Sequence, residues 1–271
     1  MYRTTAHLSL TVVLASTPSA VWGRQENVVP IPIPVEALAR SAVEEADSLF
    51  DALDARAALD RLRIRLEVAP DDFEARWRAA RAALAFAVMT SRGAERANLL
   101  REGEAHADHA LAVRPDHIES LNWSAALKGR RALEGGGPRE KSRLGQEAWE
   151  LAHRVLTIDP NDAFAHDILG KLSQEVSKLG GFKRFLARTF LGNDLLRLGT
   201  WEGAERHLRA AIDSDPGVVL FFLDLGDTYL RQDKLELARG AFEAGLELPD
   251  RFPPDARFKR TIRRRLAAMT N

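Results

Sequence analysis

The chain of 271 residues contains no cysteine, only two tyrosines and no net charge, because 39 Lys and Arg residues balance 39 Asp and Glu residues. The lack of cysteine excludes disulfides, thiolate catalysis and cysteine-ligated zinc. The balanced charge creates no global field toward polyanions, so we expect no nucleic-acid partner. Scarce tyrosine beside abundant alanine favours helix over sheet.

The N-terminal segment MYRTTAHLSLTVVLASTPSAVWG contains no acidic residue. One arginine, an apolar stretch over 8–15 and then small residues are typical of a secretory signal peptide. We therefore expect residues 1–23 to be removed on export, with cleavage after Ala20 or Gly23, and a periplasmic location. The apolar run is shorter than the roughly 20 residues that span a membrane, so no integral membrane segment is expected after removal. The alternative is a cytoplasmic adaptor with a disordered N-terminus.

Alternating prolines in VVPIPIP predict an extended lead-in over 24–34. From Val35 to the end at 271, amphipathic spacing of apolar residues predicts helices almost throughout, as in FEARWRAARAALAFAV. Glycine, proline and asparagine cluster only at short joints, and no stretch alternates long enough for a strand. The sequence predicts an all-α domain over 35–271.

One junction recurs along this domain, and it is marked by Pro70, Pro115, Pro160 and Pro216 at intervals of 45, 45 and 56 residues. Four residues before each proline lies an aliphatic residue: Leu66, Leu111, Leu156 and Ile212. Small residues lie twelve before and ten after: Ala58, Gly103, Ala148, Ala204, Ala80, Ala125, Gly170 and Gly226.

This pattern predicts helical hairpins that stack on one another. Small residues let two helices approach closely, and a proline ends the second helix of each pair. Asp, Asn or His after the proline can cap the next helix. A single hairpin cannot bury its apolar face alone, so the repeated junction indicates a solenoid.

The segment LFFLDLGDTYLRQDKLELARGAFEAGLELP over 220–249 carries the spacing of a tetratricopeptide repeat, as does LGTWEGAERHLRAAIDSDP over 198–216. The chain therefore resembles tetratricopeptide-repeat proteins, with upstream repeats that are enlarged and irregular. The insertions fall near SRGAERAN, EGGGPRE and GGFKRFLARTFLG.

The irregular repeats make the chain similar to the regulator of microtubule dynamics family. The matching stretches are ARWRAARAALAF, EAHADHALAVRPDHIESLNWSA and DPNDAFAHDILGKLSQEVSKLGGFKRFLARTFLG, and the similarity extends over roughly 40–269. It departs at Leu172 and Ser173, where bulkier aromatic residues are expected. The resemblance implies a non-enzymatic adaptor or tether. It also implies microtubules as a partner, which we do not expect in a bacterial envelope.

Candidate sites for chemistry are weak. His106 and His109 are spaced for two metal ligands on one helix face, but a third ligand is missing. EGGGPREKS over 134–142 lacks the glycine before lysine that a phosphate loop requires, and it predicts a joint between helices. No nucleophile, base and orienting acid form a known motif. We expect no cofactor and no catalysis, and a periplasmic metal-binding protein or enzyme is the alternative.

Two basic segments admit two interpretations each. GGFKRFLARTFLG over 180–192 predicts a helix that packs inside the solenoid, with a partner-docking or membrane-contact helix as the alternative. RFKRTIRRRLAAM over 257–269 predicts a solvated terminal cap rather than a site for an anionic partner.

The family's concave surface is formed by the first helix of each hairpin, and the corresponding positions here are Trp77, Arg81, Asn122, Ala126, Asp167, Lys171, Leu223 and Asp227. The polar members predict a groove for an unknown protein partner: Arg81, Asn122, Asp167, Lys171 and Asp227. We expect the side chains of Arg81, Lys171 and Asp227 to be unburied, and Trp77 to belong to the core. The Lys and Asn set with which some relatives bind a peptide's terminal carboxylate is missing.

Overall fold

A computed structural model describes residues 35–179 and 199–270, and in this part of the chain eleven helices and no strand are found. The helices are α1 (Val35–Asp51), α2 (Ala55–Val68), α3 (Phe73–Met89), α4 (Ala94–Val113), α5 (Ile118–Glu134), α6 (Pro138–Ile158), α7 (Ala163–Ser177), α8 (Trp201–Ser214), α9 (Val219–Leu230), α10 (Leu235–Glu247) and α11 (Asp255–Met269). The all-α prediction is confirmed. The predicted signal peptide, the lead-in and the 180–192 segment lie outside the described residues.

Consecutive helices pack in pairs. The pairs are α1 with α2, α3 with α4, α5 with α6, α7 with α8, and α9 with α10. The first helices of neighbouring pairs also contact each other, because α3 packs on α5, α5 on α7 and α7 on α9. One surface of the stack is therefore built from first helices, and α11 packs on the last pair.

The recurring prolines end the second helices. Each of these helices stops two residues before its proline, at Val68, Val113, Ile158, Ser214 and Glu247. A proline ring clashes with the preceding helical turn and disfavours helical backbone in the residue before it, so the helix cannot continue.

The predicted caps form at three of the four junctions. Asp72 accepts a hydrogen bond from the Ala75 amide at 3.2 Å, and Asp162 accepts one from the Ala165 amide at 2.7 Å. His117 caps α5 with a longer bond of 3.3 Å. At the fourth junction the N-cap residue of α9 is Val218, which makes no such bond.

All eight small positions of the predicted pattern are buried: Ala58, Ala80, Gly103, Ala125, Ala148, Gly170, Ala204 and Gly226. A Cβ built on Gly170 would lie 2.6 Å from Leu208 Cγ and 3.2 Å from the Ala204 carbonyl oxygen. A Cβ on Gly226 would clash with the Phe242 ring. At these two contacts the helices therefore pack so closely only because glycine has no side chain. The aliphatic positions fill the space around them, with Leu66 buried and the others half-buried.

Candidate functional site

The surface made by the first helices encloses a cavity of about 560 Å³. α3, α5, α7 and α9 contribute most of its lining, and residues of α11 complete it. The last helix reaches the cavity because Arg257 on α11 donates a hydrogen bond to the Met89 carbonyl, at the end of α3, at 2.7 Å. The C-terminal helix thus connects the last hairpin to the second, across the concave face.

Four of the five predicted groove residues line this cavity: Arg81, Asp167, Lys171 and Asp227. Asn122 lies elsewhere, with only 5% of its surface exposed. Its Nδ2 donates to both carboxylate oxygens of Asp162 at 3.0 Å, so it joins α5 to the N-cap of α7. Trp77 is half-buried, outside the cavity lining, and its Nε1 donates to Glu74 at 2.9 Å.

The expectation that the charged groove residues are unburied is wrong. Arg81 bonds to Asp47 at 2.5 Å, Lys171 pairs with Asp224, and Asp227 binds Arg265 at 2.8 Å. The side chains of Arg81, Lys171 and Asp227 are 18%, 26% and 19% exposed. The first helices lie so close together that side chains at these positions reach the next helix and pair with it.

The cavity lining includes an arginine cluster, which we define as Arg92, Arg96, Arg130 and Arg257. Arg96 and Arg130 share the Glu134 carboxylate. Burial lowers the pKa of Arg130, and its attraction to Glu134 opposes this effect. Burial also lowers the pKa of Arg257, and repulsion by Arg96 adds to the shift. The four arginines outnumber the acids that attract Arg130, which are Glu134 and, more weakly, Asp224 and Asp167, so positive charge is in excess.

The sequence interpretation missed this cluster, although a signal for part of it was available. Arg130 follows Ala126 by one helical turn and so continues the inward stripe of α5. The sequence pattern places Arg257 only in a solvated cap. It reaches the site through the position of α11, which no local pattern shows.

Buried acids also line the cavity, and they attract Arg130. Asp167 is 6% exposed, and its Oδ1 has no hydrogen-bond partner within residues 35–179 and 199–270. Burial, and then repulsion by Asp224, raise the pKa of Asp167 well above its usual value. Burial would lower the pKa of Lys171, but its pair with Asp224 raises it overall.

The lining also contains an aromatic wall, which we define as Trp123, Phe164 and Phe252. The ring centroids of Trp123 and Phe164 are 5.6 Å apart, and those of Phe164 and Phe252 are 5.9 Å apart. Phe252 immediately precedes the turn into α11, whose start is held by Asp255 accepting from the Phe252 amide at 2.9 Å. The cavity lining therefore combines an arginine cluster, an aromatic wall and buried acids.

The two candidate metal ligands, His106 and His109, contact different residues. His106 Nδ1 lies 2.8 Å from Arg76, and His109 Nε2 lies 3.1 Å from Asp71. Among the described residues there is no group of three or more His, Cys, Asp or Glu side chains placed to hold a metal ion. Within the same residues, no helix is long and apolar enough to span a membrane.

A pair of histidines joins α7 to α8 outside the cavity. His166 Nδ1 and His207 Nδ1 are 3.0 Å apart, so one proton serves both atoms. Burial lowers the pKa of His207 from 6.5 to about 4, and the neighbouring His166, Arg206 and His153 add to this effect. His207 is therefore neutral in the folded protein at neutral pH.

Acidification is expected to destabilise this helix contact. Between pH 6.5 and 4 the unfolded chain binds a proton at His207 that the folded chain rejects, so the free energy of unfolding falls as the pH falls. Allowing for solvent screening of a half-buried group, we expect a loss of about 1–2 kcal/mol. Urea titrations of the wild type and of His207→Gln across this window measure it. The free energy of unfolding of His207→Gln should fall less on acidification than that of the wild type. The control His109→Gln should lose as much as the wild type. The same pH dependence for all three proteins would contradict the account.

Comparisons with known proteins agree with this architecture. A crystal structure of a thermophilic TPR protein from Thermus thermophilus is similar with a TM-score of 0.59 at 17% identity, covering 86% of this chain and 98% of that one. At this identity the similarity shows the fold alone, and it confirms the predicted tetratricopeptide-like solenoid.

The sequence comparisons show the family. Regulator of microtubule dynamics protein 3 of Xenopus laevis is 26% identical over 176 residues, which are 62% of this chain and 37% of that protein. The chain thus aligns with well under half the length of this relative. The family described as Regulator of microtubule dynamics protein 1-3 matches residues 42–270, nearly the whole helical domain. The chain belongs to the regulator of microtubule dynamics family.

Proposed function

We propose that this protein is a non-enzymatic scaffold that binds a segment of another protein in the cavity of its concave face. The observation that supports this most is the cavity itself, lined by the first helices of successive hairpins and by α11. Its volume of about 560 Å³ lies in the range of ligand pockets. It accommodates a short segment rather than a folded domain.

The chemistry of the lining supports binding more than catalysis. Lys171 and Asp227 are engaged in ion pairs with Asp224 and Arg265. Aromatic side chains beside charged groups are typical of surfaces that recognise peptides, because they combine apolar contact area with directional bonds.

Position-specific photo-crosslinking tests this proposal. Benzoylphenylalanine replaces Leu133, a half-buried residue of the cavity lining, or Val68, which is 75% exposed and lies outside it. We expect the variant at 133 to crosslink a defined protein from the native host, and excess unlabelled wild type to suppress this product. The variant at 68 should give none. Equal products at both positions would contradict the proposal, as would substrate turnover by the purified chain.

We also propose that the protein acts outside the cytoplasm, as a periplasmic protein. The acid-free apolar N-terminus MYRTTAHLSLTVVLASTPSAVWG supports this location. In such a setting microtubules, to which the family's name refers, are not the partner. N-terminal sequencing of protein recovered from its native host is expected to begin near residue 21 or 24. An intact N-terminus on cytoplasmic protein would favour a cytoplasmic adaptor instead.

A further inference from the structure

We propose that the arginine cluster binds an acidic side chain of an extended partner segment, and that an apolar side chain of the same segment packs on the aromatic wall. This inference rests on the proposed function and specifies the chemistry of the segment. It differs from the carboxylate site of some tetratricopeptide relatives, because three of its four cations, Arg92, Arg96 and Arg257, do not lie on first helices.

The guanidinium groups of the cluster are held close together by shared acceptors. Arg96 and Arg257 both donate to the Thr90 carbonyl, at 3.3 and 3.5 Å. Arg96 and Arg130 both pair with Glu134. Arg92 is exposed and forms no ion pair with the described residues. The geometry therefore leaves Arg92 and part of Arg130 available to a new acceptor.

Charge in this recess is not balanced. Arg96 is 5% exposed, and its Nε has no partner in the described part of the chain. Glu134 is the acid that the cluster shares, and its side chain is itself only 11% exposed. An incoming carboxylate would accept charge-assisted hydrogen bonds from Arg92 and Arg130, and such bonds are stronger than those between neutral groups.

The distance between the cluster and the wall predicts the spacing in the partner. Trp123 and Arg130 lie seven residues apart on α5 and so point to the same side of the helix. A rise of 1.5 Å per residue separates them by about 10 Å. An extended chain covers that distance in about three residues. The segment should therefore carry Asp or Glu three positions away from an aromatic or large aliphatic residue.

Two buried acids limit where the segment can carry negative charge. Asp167 and Asp224 both line the cavity, and Lys171 is the cation that pairs with Asp224. A second acidic side chain placed beside them would face two buried acids. We therefore expect a single acidic residue in the segment, bound at the arginine cluster.

Selection from a library of random dodecapeptides displayed on phage tests the inference. We expect the retained peptides to be enriched in an acidic residue three positions from an aromatic or aliphatic one. A synthetic copy of one retained peptide should bind about tenfold more weakly to Arg92→Gln and to Arg130→Gln, and more weakly at high salt. Arg263→Gln is the matched control, because Arg263 is exposed on α11 and does not line the cavity. Thermal melting checks that every variant folds.

The outcomes separate the inference from the function on which it rests. Peptides without an acidic residue that still crosslink at position 133 would overturn the inference and leave the proposed function standing. Equal binding by Arg92→Gln, Arg130→Gln and wild type would do the same. A library from which no peptide is retained would contradict both.

Discussion

Leucine at position 204 or 226 is expected to destabilise the fold by about 1–3 kcal/mol or more, because neither seam has room for the added atoms. Ala204 is fully buried, and its carbonyl faces Gly170. Gly226 lies against the Phe242 ring so closely that even a methyl group would clash. Phe242 is itself fully buried and cannot swing into solvent. Of the two, Gly226→Leu should therefore be the more damaging.

Urea titrations of each variant measure these losses. Glu236→Leu serves as control, because Glu236 is exposed in the first turn of α10 and should change the free energy of unfolding by no more than about 0.5 kcal/mol. If Ala204→Leu and Gly226→Leu are as mild as the control, the assignment of these positions to helix seams is wrong.

Removing the charge of Lys171 is expected to cost about 3 kcal/mol, since Lys171→Met leaves the carboxylate of Asp224 without its partner. The Asp224 side chain is only 7% exposed, and Asp167 lies close enough to repel it. Charge reversal by Lys171→Glu should be worse than Lys171→Met. The sequence alone, from which we expected the Lys171 side chain to be unburied, gave no reason for such a loss.

A double-mutant cycle separates the pair from its surroundings. Lys171→Met combined with Asp224→Leu should recover much of the loss, because the buried carboxylate that lost its partner is then removed as well. Lys178→Met is the comparison on the same face, where the pair with Glu175 is partly exposed and worth little. A loss at Lys171→Met no greater than at Lys178→Met would show that the Asp224 pair does not stabilise the fold.

The features that were predictable from sequence are those with a local or periodic cause. A proline blocks a helix wherever it stands, so the ends of the second helices followed directly. The small positions recur with the repeat, and the burial of Gly170 and Gly226 confirms that spacing. The cap at α9 was the exception, since Val218 has no side-chain acceptor.

The site was less predictable, because its contacts join residues far apart in the chain. Lys171 and Asp224 are 53 residues apart, and Arg257 reaches the Met89 carbonyl across 168 residues. No periodic pattern encodes which side chains meet across such distances. Asn122 shows where a position transferred by spacing is not enough. It lies one turn before Ala126 on α5, but its side chain bonds to the N-cap of α7, and only Ala126 and Arg130 line the cavity.

The absence of cysteine permits a direct test of the central claim that the cavity is the binding surface. Single cysteines at Thr261, which lines the cavity, and at Val68, which does not, would each provide the one thiol of the chain. The rate of maleimide labelling is measured with and without a saturating amount of the free partner protein that the crosslinking experiment identifies. We expect the partner to slow labelling at position 261 by at least about tenfold and to leave position 68 unchanged. Unchanged labelling at 261, with protection at 68 instead, would contradict the account.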